Sequence, residues 1–160
     1  MTDIRIVQTI ADLDITLDWL LRGDGSLDDA DDLATAVIAA LGTDRRADEA
    51  DALPDPDDTD RRGWWGDTEA EGIWGGWPIG SRLWLLHRSK ITDLGARDGA
   101  LVAKVEAYLH EAMQPFVTSS IASSVSVEAI RNGLGRIDAT VTLHRDRSKS
   151  LSLRFDSLWG

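Results

Sequence analysis

With 160 residues, no cysteine and a formal net charge of −11, the chain suits one domain that buries about 70% of its unfolded surface. Disulfides, thiolate metal sites and a cysteine nucleophile are excluded, so the fold must rest on packing. Residues 1–60 carry 17 acidic and 4 basic side chains against 11 and 13 in residues 61–160. The first part repels phosphates and anionic lipid and the second is too weakly basic to attract them, so neither nucleic acid nor membrane is an expected partner.

In chain order, Ile4 and Ile6, then Leu13, Ile15, Leu17 and Trp19, alternate with polar residues at the period of half-buried strands, which predicts two short strands. Arg22-Gly23-Asp24-Gly25-Ser26 has the composition of a turn. Ser26 with Asp29, or Asp28 itself, is placed to cap a helix whose single face carries Leu33, Val37, Ala40 and Leu41. Gly42 is the expected left-handed stop. Residues 47–60 are mostly Asp, Ala and Pro with Leu53 as the one large apolar side chain, too little to order a segment by its own burial. A loop, or an arm laid on a partner, is expected there.

Residues 64–78 are punctuated by glycine and rich in tryptophan, predicting irregular but packed structure. One or two helical turns capped by Ser81 are expected over residues 82–88, with a break around Ile91 to Gly95. The clearest helix runs from about Asp98 to Met113, through Leu101, Val105, Tyr108, Leu109, Ala112 and Met113, and Pro115 marks its end or kink. Alternation at Val125 and Val127, at Ile137 to Leu143 and at Leu151, Leu153 and Phe155 signals three strands. Short connections at Asn132-Gly133-Leu134-Gly135 and Asp146-Arg147-Ser148-Lys149 make an antiparallel meander the natural topology, with its apolar face against the long helix.

The expected class is therefore α+β, a small antiparallel sheet packed on one long and one shorter helix, with an Asp-rich and a Trp-rich loop outside it. One domain spans 1–160: an acidic part to residue 60, the Trp/Gly-rich loop 61–80, and helix plus meander over 81–160. The longest apolar runs fall far short of a membrane-spanning helix, and Met1-Thr2-Asp3 lacks the basic start of a secretory signal, which predicts use without signal-peptide export.

Little points to bond-breaking chemistry. His87, His110 and His144 form no ligand motif, and the Asp24 to Asp32 cluster lacks the spacing of a calcium loop. No nucleophile-elbow, zinc-protease or phosphate-loop motif occurs. Two carboxylates beside a cleft would suffice for glycoside cleavage, as in a peptidoglycan-degrading, lysozyme-like enzyme, and Glu69 and Glu71, near Trp74 and Trp77, are the first candidates for it. A glycan-binding or adaptor module, with indoles stacked on sugar rings, is the other alternative.

The informative stretch is Arg61-Arg62-Gly63-Trp64-Trp65-Gly66-Asp67, closed by Gly80-Ser81-Arg82-Leu83-Trp84-Leu85-Leu86. Trp and Arg dominate protein-protein hot spots through rigid area and forked hydrogen bonding. Arg61, Arg62, Trp64, Trp65 and Trp84 are accordingly candidate partner-binding residues, with Arg45 and Arg46 fixing the loop through carboxylates such as Asp44 or Asp67. Leu151, Leu153 and Phe155 join them if the last strand is a sheet edge, because an edge offers unpaired N–H and C=O groups to another chain.

With Thr35-Ala36-Val37 and Thr43-Asp44-Arg45-Arg46-Ala47, these blocks resemble the Mu-like phage tail protein family of the contractile-tail baseplate wedge. That family is distantly similar to the T-even wedge protein that starts the tail sheath. The resemblance runs from about Leu33 to Leu158-Trp159 and implies a structural, non-enzymatic virion component without cofactor, assembled in the host cytoplasm and present in six copies. Its implied partners are the larger wedge protein, the spike and tube hub, and the first tail sheath subunits, which join by completing a shared sheet. The Glu-Pro-Arg motif of the T-even branch is absent, Gln114-Pro115-Phe116 being the nearest string.

Overall fold

Two strands, Ile6–Ala11 (β1) and Asp14–Trp19 (β2), pair antiparallel with Thr9 opposite Thr16, as the alternation predicts. The computed structural model describes residues 6–11, 14–19, 21–27, 32–74, 76–87, 99–132, 136–146 and 149–159. Expectations resting on Ile4, Leu13, the Asp28 and Asp29 cap, the break at Ile91 to Gly95, the helix start at Asp98 and the Gly133 to Gly135 loop lie outside them. The chain divides into two compact units, Met1–Ala40 and Leu41–Gly160.

In the first unit, the turn after β2 closes as its composition requires. The Arg22 N–H donates to the Ser26 carbonyl at 2.8 Å, and the Asp24 carboxylate accepts from the Ser26 N–H at 2.9 Å. The helix Asp32–Gly42 (α1) follows, and Leu33, Val37, Ala40 and Leu41 are all buried. Gly42 is its last helical residue and does not take the expected left-handed conformation, so it ends α1 without a left-handed C-cap.

The second unit is built on the helix Ala100–Thr118 (α3) and a three-stranded sheet of Ser124–Arg131 (β3), Ile137–Asp146 (β4) and Lys149–Trp159 (β5), in the order β3-β4-β5. Pairing sets Val127 opposite Val141 and Val141 opposite Leu153, and likewise Ala129, Ala139 and Phe155. One face of the meander is thus apolar across all three strands. The other carries Ser126, Thr142 and Ser152, with the last two hydroxyls 3.0 Å apart. Ile137, Ala139, Val141 and Leu143 of the central strand are at most 2% exposed.

The helix α3 packs along β3 and buries Val105, Tyr108, Leu109, Ala112, Met113 and Phe116. Of the two outcomes expected at Pro115, an end or a kink, the end does not occur: the helix runs on to Thr118. Proline removes one N–H from the ladder, but Phe116, 4% exposed, holds the final turn in the core. The Ser119 N–H still donates to the Pro115 carbonyl at 2.9 Å. At the edge of the sheet, the Glu106 carboxylate of α3 accepts the Ala129 N–H of β3 at 3.0 Å.

The described residues between α1 and α3 are largely irregular, with a 3-10 turn at Trp65–Asp67, a five-residue helix Ala70–Trp74 (α2) that the sequence pattern did not signal, and a 3-10 turn at Leu83–Leu86. The Ser81 hydroxyl does not cap that last turn. It donates instead to the Leu41 carbonyl at 3.0 Å.

Candidate functional site

Residues 43–47, 61–67 and 80–84 are tied into one scaffold without a regular strand among them. The Ser81 N–H donates to the Thr43 carbonyl at 2.9 Å and the Arg45 N–H to the Ser81 carbonyl at 3.0 Å. The Ala47 N–H donates to the Arg61 carbonyl at 2.9 Å. Backbone groups that pair this way need no solvent, which lets the segments approach closely. Gly80 makes that approach possible: its φ is +111°, and a Cβ there would stand 2.6 Å from the Thr43 carbonyl oxygen.

The arginines of the two predicted blocks converge here, with a division of labour the sequence did not give. Arg62, rather than Arg45 or Arg46, takes the Asp44 carboxylate, at 2.6 Å. Its guanidinium also lies 4.5 Å over the Trp84 ring, a cation–π contact worth about 0.5–2 kcal/mol. Arg62 has a left-handed backbone with φ of 52°, and its N–H is held by Asp60 Oδ1 at 2.8 Å. Strain of this kind collects at sites where the surrounding structure over-determines the backbone. Arg61 donates to the Asp48 and Glu49 carbonyls, so the start of the acidic segment 47–60 is pinned by the chain's own arginine.

Arg45 approaches Glu111 of α3 at 3.8 Å. Arg46 is exposed, makes a long 3.5 Å contact to the Arg62 carbonyl, and pairs with no carboxylate among the described residues. Asp67, the other expected partner of these arginines, accepts the Ile79 N–H at 2.9 Å through Oδ1. Its Oδ2 is buried with no hydrogen-bond partner.

Among the described residues Arg82 has the most carboxylate partners, and the residue pattern gave no sign of it. Its Nε lies 2.9 Å from Glu111, its Nη1 lies 2.6 Å from Asp48 and 2.8 Å from Asp51, and its guanidinium stacks 5.1 Å from the Tyr108 ring centroid. Burial disfavours the Arg82 charge, but hydrogen bonds to Asp51 and Glu111 outweigh it and raise its pKa. Burial likewise opposes ionisation of Asp51, yet the Asp48 N–H and the Arg82 guanidinium hold its carboxyl below the usual carboxylate range.

The tryptophans separate into outer and inner sets. Trp65 is 83% exposed and Trp64 37%, their ring centroids 5.4 Å apart. The Trp64 ring lies directly on Gly66, where any Cβ would collide with it. Trp84 is only 8% exposed, and its indole N–H donates to the Arg45 carbonyl at 2.8 Å. Trp77 is half-buried, edge-on to Phe116. The side chain of Trp74 lies outside the described residues.

The outer indoles stand at an open cleft of about 740 Å³. Arg45, Arg46, Asp48 and Glu49 line one side, and Arg62, Gly63, Trp64, Trp65, Asp67, Thr68 and Pro78 line the rest. It offers broad aromatic area and, in Arg46, an arginine that pairs with no carboxylate among the described residues.

The remaining predicted residues lie elsewhere. Leu151 and Leu153 are half-buried on β5, and Phe155 is 7% exposed. Among the described residues β5 pairs only with β4, which makes it a sheet edge. Glu69 and Glu71 are exposed and do not line the cleft. Of the histidines, His87 and His110 are exposed, and His144 Nε2 lies 3.2 Å from the Ser126 hydroxyl. Asp24 serves the turn at Ser26, and no group of three or more metal-ligating side chains occurs among the described residues.

Comparison with known proteins gives this arrangement its context. The family model described as phage protein GP46 matches residues 33–150, a span that includes the whole cleft. The chain is 41% identical over 129 residues to baseplate protein gp46 of Escherichia phage Mu, covering 81% of this chain and 77% of that protein. It is 33% identical over 122 residues to Mu-like prophage FluMu protein gp46 of Haemophilus influenzae, covering 72% and 75%.

Proposed function

The chain belongs to the phage protein GP46 family, and we propose that it is a structural subunit of a phage tail baseplate. Within it the chain is the wedge component that joins the larger wedge protein and the spike and tube hub to the first ring of tail sheath. The observation that carries this reading is the Trp64–Trp65 pair, exposed together on a braced scaffold. An indole left 83% in water contributes nothing to its own core. Held beside Arg46 on backbone that is already hydrogen-bonded, it is ready to bury its area against another chain with little further ordering.

Trp84, inside the scaffold, acts from beneath: it braces Arg45 through its N–H and Arg62 through its ring. The β5 edge is the second contact, to the sheath. Its outward N–H and C=O groups are available for strand addition, with Leu151 and Leu153 beside them to cover. The opposite edge is less available, since Glu106 takes one of its N–H groups and α3 lies along it. The role needs no bond-breaking step.

The test is co-expression with the larger wedge protein followed by size-exclusion chromatography. Replacing Trp64 and Trp65 by alanine together should abolish the complex while circular dichroism and melting temperature stay near those of the parent. A complex that survives the double substitution removes the cleft from the interface.

A further inference from the structure

The cleft wall formed by residues 45–49 has no regular secondary structure to hold it, yet it must be in place for the indoles to face a formed cleft rather than a loose loop. Backbone pairs at Arg45 and Ala47 and the Arg61 guanidinium on the Asp48 and Glu49 carbonyls hold it to the scaffold, and the Asp48 and Asp51 carboxylates are carried to α3 through one side chain, Arg82. Arg82 reaches Glu111 on α3 with Nε at 2.9 Å, and with Nη1 it grips Asp48 at 2.6 Å and Asp51 at 2.8 Å. Asp51 in turn accepts the Asp48 N–H at 2.9 Å, closing the tip of the acidic segment on itself. Glu111 also faces Arg45, at 3.8 Å, so a single helix residue bears on both ends of the wall. The Arg82 side chain is only 17% exposed and lies over the Tyr108 ring, which shields its pairs with Asp51 and Glu111 from solvent, whereas the Asp48 side chain, 72% exposed, is the screened arm of the clamp.

We propose that Arg82 is a positioning residue for the indole cleft: by clamping Asp48 and Asp51 to α3 it keeps the 45–49 wall in its binding-ready place before a partner arrives. This rests on the reading of the cleft as the contact with the larger wedge protein. The chemistry favours arginine specifically. A planar fork presents separate N–H vectors to Glu111 and to the aspartate pair, whereas lysine, a point charge, cannot serve both directions in the same geometry. The segment it holds is aspartate-rich, and without Arg82 between them the Asp48 and Asp51 carboxylates lose their link to Glu111 and repel it.

A loosened wall makes only a fraction of molecules competent, so the apparent dissociation constant rises by the inverse of that fraction. The loss falls on the association rate, because the complex once formed is the same. A purely structural role would lower stability throughout and give no such split.

The test compares parent, Arg82→Gln, Arg82→Lys, Asp51→Asn and Trp65→Ala chains. Hydrogen exchange is measured on the free protein, and association and dissociation rates are measured against the purified larger wedge protein. Both Arg82 variants should exchange at least tenfold faster over residues 45–51 with β4 unchanged, and should associate about tenfold more slowly with an unaltered dissociation rate. Asp51→Asn leaves the Glu111 contact in place and should show the same effects more weakly, which keeps the test intact if an Arg82 variant fails to fold. Parent-like exchange over 45–51 overturns the clamp. Faster exchange with parent-like association overturns its part in binding. If Trp65→Ala also binds normally, the reading of the cleft has failed, an outcome distinct from the first because exchange is read without any partner.

Discussion

The meander with α3 and the scaffold of residues 43–84 belong to the same unit and are held together by different physics. In the meander, order comes from repetition: Ile137 and every residue from Ala139 to His144 of β4 are paired on both sides, and apolar side chains fall on one face because the strand period is two. In the scaffold no period operates. Position is set by single contacts, such as Ser81 with Thr43, Trp84 with Arg45, and Arg82 with Asp48, Asp51 and Glu111. The first arrangement shares a loss among many neighbours, whereas the second concentrates it at a few atoms.

That contrast can be broken or sharpened by substitution. The largest effect is expected in the repeating region, where Leu109 is fully buried: Leu109→Ala should cost about 2–5 kcal/mol in urea unfolding. A loss under 1 kcal/mol would mean the α3 core collapses freely around the deletion. In the scaffold, Gly80→Ala meets both a forbidden backbone conformation and the Thr43 carbonyl, and should cost roughly 1–3 kcal/mol. The damage should be local, so amides at Arg45 and Ser81 should exchange faster while those of β4 do not.

A smaller effect concerns acid. Asp51 titrates below its ordinary value of about 3.9 because the Asp48 N–H and Arg82 outweigh the burial that opposes its charge. Its contribution is therefore complete above about pH 4 and is lost as pH falls through the lower folded value. Tyr108 lies under Arg82, and the acid change should be reduced in Asp51→Asn when stability is followed by calorimetry from pH 5 to pH 2. The smallest effect on stability belongs to Trp65→Ala, within about 0.5 kcal/mol because the side chain is already in water. On partner association the same substitution should cost at least about 2 kcal/mol, the signature of a contact residue.

The three strands of the meander, their order and the long helix were legible because each spans enough residues for a period to be counted. Val127, Val141 and Leu153 announce their shared face before any coordinates exist. The candidate site was legible only in composition. Arginine and tryptophan density located it, but which indole turns outward is not a property of the sequence neighbourhood: Trp64 and Trp65 are adjacent to the same glycines, and Trp84, counted with them, lies inside. Pro115 marks a similar limit, since local propensity ends the helix there and the burial of Phe116 carries it on to Thr118.

By itself the sequence determined the α+β class, the five strands and the two longer helices in their order, the absence of any sulfur-based cross-link and the arginine- and tryptophan-dense segment proposed for recognition. Those follow from local periods and composition, which act between near neighbours along the chain. Only the tertiary structure decided that Arg62 takes Asp44, that Ser81 serves Leu41 rather than a helix end, and that Arg82 gathers carboxylates from positions 48, 51 and 111. Charge pairs between residues some 30 positions apart depend on where the backbone carries each group, and no spacing rule along the chain encodes that distance.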